Sequence, residues 1–190
     1  MQDTLYIIIV HSVKIWDLIK NFKNIEYLKY GNERQKLAYS EIINLNIFKS
    51  LKKFNPILTG TIPIGIDLPE SDLDIICEFQ NHSEFSELLT TLFSNQNGFK
   101  ISSTKQDGIE STIAEFKTEN FLFEVFGQNI PTEKQNAYRH MLVENKILLE
   151  KGLEFKQEII KLKSSGLKTE PAFAKLLGLN GNPYVELLKL

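Results

Sequence analysis

The segment from residue 60 to residue 74 constrains the fold more than any other part of the chain. It begins with Gly60, contains one further glycine and two prolines, and ends in Ser71, Asp72 and Asp74. The apolar run before it and the alternating apolar run after it predict two strands joined by a shaped loop. Because side chains on a strand alternate between faces, Asp72 and Asp74 are expected to point the same way, roughly 7 Å apart.

Without a partner, the carboxylates of Asp72 and Asp74 at the start of this strand would repel each other, and packing does not require two like charges there. A divalent cation removes the conflict, and carboxylate oxygens suit Mg²⁺ or Mn²⁺ rather than a soft metal. Upstream, Gly60 lets a ligand approach the backbone, while Thr61 offers a hydroxyl and an N–H group to phosphate oxygens. The pattern therefore predicts a site that holds a phosphate and a metal ion together.

A third acidic residue is expected on a neighbouring strand. Glu124 interrupts the apolar run 121–126, and a glutamate is seldom buried unless it is paired or binds a metal. Glu115 lies in a more polar run and is the alternative. We therefore predict Asp72, Asp74 and Glu124 as the metal ligands.

The rest of the chain predicts an α+β fold in which the strands lie between two helical regions. The expected helices cover residues 13–29, 33–51, 81–93, 132–150 and 155–163, with short ones beginning at Thr169 and Pro183. The expected strands cover residues 57–59, 73–79, 100–104, 112–117 and 121–128. We divide the chain into a core with N-terminal helices, residues 1–131, and a C-terminal helical part packed on that core, residues 132–190.

Composition excludes several classes of protein. The chain has 190 residues, of which 42% are hydrophobic and 24% charged, so it is typical of a globular protein and not of a disordered chain. The net charge of −2 indicates no extended DNA-binding surface, and the apolar run 5–10 is too short to span a membrane. A single cysteine, Cys77, excludes an internal disulfide and favours a cytoplasmic location.

The motif resembles that of the polymerase-beta-type nucleotidyltransferase superfamily. Small bacterial members carry glycine-serine, a second glycine four residues on, a proline and then Ser-Asp-x-Asp. Gly60, Thr61, Gly65, Pro69 and the run 71–74 occupy the matching positions here. The chain is also similar, over nearly all of its length after residue 25, to a family of bacterial proteins known only as a domain of unknown function and grouped with nucleotidyltransferases. The hallmarks of that family are found here in residues 31–35, 60–77, 126–128 and 135–140.

The resemblance implies a short mixed β-sheet flanked by helices, with the acidic residues on adjacent strands. It also implies transfer of a nucleoside monophosphate from a nucleoside triphosphate to an acceptor hydroxyl, with release of pyrophosphate and with Mg²⁺ or Mn²⁺ as cofactor. Asp72 and Asp74 would hold the ions and the triphosphate, and Glu124 would act on the acceptor hydroxyl as general base. The acceptor would be a small molecule, a protein or an RNA end.

The glycine loop departs from the pattern of many small relatives, which place arginines there to contact phosphate. This chain has Ile62 and Ile64 in the loop instead. Arg139 could replace the missing arginines, with Gln128 or His140 nearby, because a guanidinium group binds phosphate through two parallel hydrogen bonds.

Two further residues are predicted to bind the nucleotide. Gln135 shares a helix face with Arg139 at a spacing of four residues, and Arg34 begins the second predicted helix. A second interpretation of the helix that carries Arg139 is a solvated surface on which His140 and Glu144 form a structural pair. The loop residues Gly60, Thr61 and Ser71 complete the predicted nucleotide-binding set.

Two other functions fit the same residues. A non-catalytic module on the same fold would bind a nucleotide or a metal ion without turnover. A toxin–antitoxin-type transferase would modify a protein or an RNA end. Release of pyrophosphate after nucleotide binding would distinguish the enzyme from the module, and the neighbouring gene would identify the toxin-type transferase.

Overall fold

A computed structural model describes residues 20–106 and 108–190 of the chain. This part has an α+β fold built on a mixed sheet of five strands, which confirms the predicted fold class. The strands are β1 (Ile57–Thr59), β2 (Leu73–Glu78), β3 (Asn97–Gln106), β4 (Ile109–Lys117) and β5 (Leu122–Gln128). The α-helices are α1 (Glu33–Asn44), α2 (Ile47–Ser50), α3 (His82–Phe93), α4 (Asn136–Ser164), α5 (Thr169–Leu177) and α6 (Pro183–Leu187).

The strand order β1-β2-β5-β4-β3 places the parallel pair β2 and β5 near the middle of the sheet. The other neighbouring strands are antiparallel. A parallel pair needs a long crossover connection, and here α3 and the hairpin of β3 and β4 supply it. As a result, the acidic residues at the start of β2 and β5 lie beside each other.

The two faces of the sheet are covered by different elements. On one face, aromatic and aliphatic side chains of β2, β4 and β5 pack with residues of α1, α2 and α3, and Phe85, Phe116 and Phe123 are fully buried there. On the opposite face, Ile76 packs with the C-terminal helices in a second cluster that includes Met141 of α4. The polar residues described below lie on this second face.

The first long helix ends earlier than its apolar spacing predicts. Asn46 has a φ of 54°, in the left-handed region, and this residue separates α1 from α2. The predicted helix 33–51 is therefore wrong as a single element. Of the predicted helix 13–29, residues 13–19 lie outside the described residues, and Glu26–Tyr30 is a 3-10 turn.

The C-terminal region contains the two helices that the sequence predicts on either side of Gly152. Gly152 has a φ of 81° and a ψ of −166°, which is not a helical conformation, so the range α4 consists of two helical segments that meet at a kink there. The predicted start at residue 132 is wrong, because residues 132–134 form a 3-10 turn and Gln135 is extended. In residues 20–106 and 108–190, no helix combines the length and the apolar character needed to cross a membrane. The division of the chain at residue 131 stays a prediction.

Candidate functional site

A row of polar side chains crosses the second face of the sheet. Thr59 of β1 is paired with Asp74 of β2, and Asp74 is paired in turn with Glu124 of β5. Glu115 of β4 is the next neighbour of Glu124. Residues paired across neighbouring strands share a face, so the register brings three carboxylates into one line. Asp72 immediately precedes β2 and adds a fourth acidic group near this line.

Two carboxylates in this row have raised pKa values. The pKa of Asp74 is raised to about 7, chiefly by burial and further by the charges of Asp72 and Glu124. Burial also raises the pKa of Glu124, with further contributions from Asp72 and Glu115. Like charges in a poorly solvated place disfavour ionisation, so these groups share one electrostatic site.

Gly60 fits against the carboxylate of Asp74. Its φ is 78°, which favours glycine, and a Cβ atom placed there would lie 2.3 Å from Asp74 Oδ2. Any side chain at this position would displace the carboxylate and strain the backbone. Gly60, which the sequence analysis expects to let a ligand approach the backbone, therefore also leaves space for the carboxylate of Asp74.

The loop that follows Gly60 is tightly bonded within itself. The amide of Ile66 donates to the carbonyl of Thr61 (3.1 Å), and the amide of Leu68 donates to Ser71 Oγ (2.9 Å). Ile62 and Ile64 are 1% and 3% exposed and belong to the clusters on opposite faces of the sheet. The loop carries isoleucines at these positions because they anchor it to both cores.

Side chains from α1 and α4 fix the same loop by binding its carbonyl oxygens. Gln35 Nε2 donates to the carbonyl of Ile62 (2.7 Å), and Arg34 Nη2 donates to that of Ser71 (2.8 Å). From the other side, Lys163 Nζ donates to the carbonyl of Ile66 (2.6 Å). Arg34 and Lys163 thus link the loop to two different helices.

A cavity of about 620 Å³ lies between the acidic face of the sheet and the C-terminal helices. This is the size of a typical small-molecule site. The sheet and the loop contribute one wall, the acidic wall, which includes Gly60, Thr61, Ser71, Asp72, Asp74 and Glu124. The helices and their connection contribute the other, the helical wall, which includes Ala137, His140, Met141, Glu144, Lys163, Lys168, Thr169 and Glu170.

The helical wall of this cavity holds an ionic network. His140 Nδ1 lies 3.3 Å from Glu170 Oε1, and His140 Nε2–H donates to the carbonyl of Tyr184 (2.8 Å). Burial alone would lower the pKa of His140, but these two contacts raise it above its ordinary value. Burial lowers the pKa of Lys163, against the charges of acidic neighbours that include Glu144.

The cavity brings together only part of the predicted set. The predicted acids and the residues Gly60, Thr61, Ser71 and His140 line it, and four other predicted residues do not. Gln135 Nε2 donates to the carbonyls of Cys77 and Ile130, Arg139 is exposed and bonds Asn136, and Arg34 holds the loop from behind. Gln128 lies at the far end of β5, beside Glu78. The predicted pair of His140 and Glu144 is replaced by the contact of His140 with Glu170.

The donor chemistry of the acidic wall fits a hard dication. Asp72, Asp74 and Glu124 offer carboxylate oxygens, the ligands that Mg²⁺ and Mn²⁺ prefer, and a dication would relieve their mutual repulsion. Within residues 20–106 and 108–190, however, no three His, Cys, Asp or Glu side chains are arranged to hold a metal ion. The wall therefore has suitable donors without a closed set of protein ligands.

Sequence comparison assigns the chain to a family. A family model described as Domain of unknown function (DUF4269) matches residues 40–190, which include the loop, the acidic wall and the helical wall. The chain belongs to this family. Among curated proteins, none is similar in sequence to this DUF4269 chain.

Solved structures of the Cid1 poly(U) polymerase share the fold of the DUF4269 chain. A Cid1 mutant bound to MgATP superposes with a TM-score of 0.51 at 15% identity, over 80% of this chain and 47% of Cid1. The Mg 3'-dATP complex gives 0.50 at 14% identity, over 82% of this chain and 48% of Cid1. The MgGTP complex gives 0.50 at 14% identity, over 67% and 41%. The chain thus spans less than half the length of these structures, and the likeness is one of fold.

Sequence reasoning missed most of the helical wall of the DUF4269 chain. Lys163 lies four residues after the buried Ile159, so a lysine continues an apolar helix stripe. Glu144 likewise follows His140 and Met141 on one face of α4. A charged residue inside an apolar stripe was the available signal in both cases.

Proposed function

We propose that the protein is a metal-dependent nucleotidyltransferase, which moves a nucleoside monophosphate from a nucleoside triphosphate to an acceptor hydroxyl and releases pyrophosphate. One observation carries the proposal. The parallel register of β2 and β5 pairs Asp74 with Glu124 beside the turn at Gly60, within a cavity large enough for a nucleotide. These carboxylates have no basic ion-pair partner within residues 20–106 and 108–190, and such a group at a glycine turn suits a dication and a phosphate.

Each residue of the acidic wall then has a definite part in the reaction. Asp72 and Asp74 would hold the dication, and Glu124, with its raised pKa, would accept the proton of the acceptor hydroxyl. The acceptor oxygen forms a bond to the α-phosphorus, the bond from that phosphorus to the bridging oxygen breaks, and pyrophosphate leaves. A bound Mg²⁺ or Mn²⁺ would supply neutralisation of the phosphate charge.

The positive charge that the glycine loop lacks has another source in this cavity. Lys163 and Lys168 line the helical wall, opposite the carboxylates. A triphosphate bound between the walls would meet cations on one side and the metal ligands on the other. The Cid1 complexes with MgATP and MgGTP support a nucleotide with magnesium on a sheet of this fold.

The proposal is tested by measuring binding and turnover together. Each of the four nucleoside triphosphates is titrated calorimetrically with and without Mg²⁺ or Mn²⁺, and pyrophosphate release is followed with RNA ends, proteins and small polyhydroxyl compounds as acceptors. We expect metal-dependent binding and acceptor-dependent pyrophosphate release. Asp74→Asn should lose both, whereas Glu119→Gln, an exposed change between β4 and β5, should lose neither.

A different outcome would favour the non-catalytic module. Metal-independent nucleotide binding with no pyrophosphate release, unchanged in Asp74→Asn, would contradict the proposed reaction. The isoleucines at positions 62 and 64, which replace the loop arginines, are the observation that makes this second function worth testing.

A further inference from the structure

Glu144 is a buried acid on the helical wall with no hydrogen-bond partner in the described part of the chain. Its side chain is 4% exposed, yet it lines the same cavity as the acidic wall. Within residues 20–106 and 108–190, no hydrogen bond or ion pair to its carboxyl group is found, whereas its neighbours His140 and Lys163 are anchored to backbone carbonyls. Buried polar groups are nearly always hydrogen-bonded, so Glu144 has unused capacity that faces the cavity.

The surroundings of Glu144 favour its neutral form. Its pKa is raised to about 8, chiefly by burial and further by the charge of Glu170, against the opposite effect of His140 and Lys163. A protonated carboxyl group presents a donor and an acceptor side by side. Such a group matches an uncharged ligand edge that also carries one donor and one acceptor.

Lys163 already places a cation near Glu144, since its charge lowers the pKa of that carboxyl group. An ammonium group bound at Glu144 would lie close to the ammonium group of Lys163, and the two would repel each other. A neutral hydrogen-bonding edge carries no such penalty.

We propose that Glu144 binds the hydrogen-bonding edge of the nucleobase and so determines which nucleotide is preferred; this inference rests on the proposed function. The triphosphate would occupy the end of the cavity near Gly60 and the carboxylates. The sugar and base would then extend toward α4 and α5, whose residues line the cavity together with Glu144. Nucleobases are neutral and carry adjacent donors and acceptors on their edges.

The test compares nucleotides with a probe that lacks a base. Calorimetric titrations with Mg²⁺ present measure the affinity of ATP, GTP, CTP, UTP and inorganic triphosphate for the wild type, Glu144→Gln and Glu144→Leu. Glutamine keeps a donor and an acceptor, so it should stay within about threefold of the wild type. Leucine should weaken the preferred nucleotide by about tenfold and leave inorganic triphosphate unchanged.

Two controls keep the test decisive. Glu150→Gln, an exposed change on the same helix, should alter no affinity. Should Glu144→Leu fail to fold, the wild type is titrated with the preferred nucleotide methylated on its base edge, and the expected result is again about a tenfold loss.

Three results would overturn the inference. The first is an equal loss for nucleotides and inorganic triphosphate in Glu144→Leu. The second is unchanged nucleotide affinity with slower transfer, which would assign Glu144 to the acceptor. The third is a wild type that binds inorganic triphosphate as tightly as any nucleotide, a result that leaves the proposed function standing. If neither probe binds, the inference falls together with the proposed function.

Discussion

The two faces of the central strands carry different side chains: one is packed with aromatic rings, and the other carries carboxylates. On the face covered by α1 to α3, Phe116 and Phe123 stack with ring centroids 5.0 Å apart, and Phe93 stacks on Phe116 at 4.6 Å. On the other face, the same strand β5 presents Glu124 beside Asp74. Burial of apolar side chains on the first face stabilises the fold. On the other face, the raised pKa values of Asp74 and Glu124 show that their ionised forms are destabilised. Because side chains alternate along a strand, the residues that stabilise the fold and the residues that form the site can lie on the same strand without sharing a face.

The largest expected effect tests the apolar face. Phe123→Ala removes a fully buried ring from the stack and should lower the free energy of unfolding by about 3–5 kcal/mol. Leu122→Ala, a half-buried neighbour, should cost clearly less. Urea titrations of both variants measure the difference. Equal losses would show that the two faces do not differ in their contribution to stability.

A second prediction concerns the pH dependence of stability on the acidic face. The pKa of Asp74 is raised to about 7, so between about pH 4 and 7 the folded chain keeps a proton that the unfolded chain has released. The contribution of Asp74 to stability therefore falls as the pH rises through this window. Asp74→Asn removes the penalty and should gain on the order of 2–4 kcal/mol relative to the wild type at pH 8.

Thermal unfolding from pH 4 to pH 9 in the presence of a chelator measures this gain. The advantage of Asp74→Asn should be small at pH 4, grow with pH and level off above about pH 7. An advantage that does not change with pH, or a loss at every pH, would contradict the electrostatic account of the acidic face.

A third prediction distinguishes the two glutamates next to each other in the row. Glu124→Gln should slow pyrophosphate release by about a hundredfold, because it removes the proposed base. Glu115→Gln, one strand further from Asp74, should slow it by less than about threefold. Initial rates at saturating nucleotide compare the two variants. A larger effect at Glu115 would make that residue the third acid.

The smallest expected effect is at Arg139. This side chain is exposed, bonds Asn136 and does not line the cavity. Arg139→Ala should change nucleotide affinity by less than about twofold. The phosphate contact predicted from the sequence requires a loss of about tenfold or more, so calorimetry separates the two expectations.

The fold class followed from local patterns in the sequence. The Gly60 turn, the alternating run of β2 and the acid within β5 predict strands with one polar face, and the structure has them. Strand alternation is a short-range property, so residues near one another in the chain suffice to show it. The assignment of roles to the acids remains a prediction.

The helical wall could not be predicted in the same way. Glu144, Lys163 and Glu170 line one cavity because the two segments of α4 meet at a kink at Gly152 and α5 packs on α4. The glycine predicts the break, but the angle between the segments and the packing of α5 are set by contacts distant in sequence. For the same reason, the exposed position of Arg139 was not evident from its spacing.

The central claim is that Asp72 and Asp74 hold a dication, which in turn binds the phosphates of a nucleotide beside Glu124. Electron paramagnetic resonance of Mn²⁺, titrated with and without a non-hydrolysable nucleotide, measures this binding directly in the wild type and in Asp74→Asn. The account predicts that the wild type binds Mn²⁺ more tightly when the nucleotide is present, and that Asp74→Asn loses this binding while keeping its fold. Equal binding of Mn²⁺ by both proteins would contradict it.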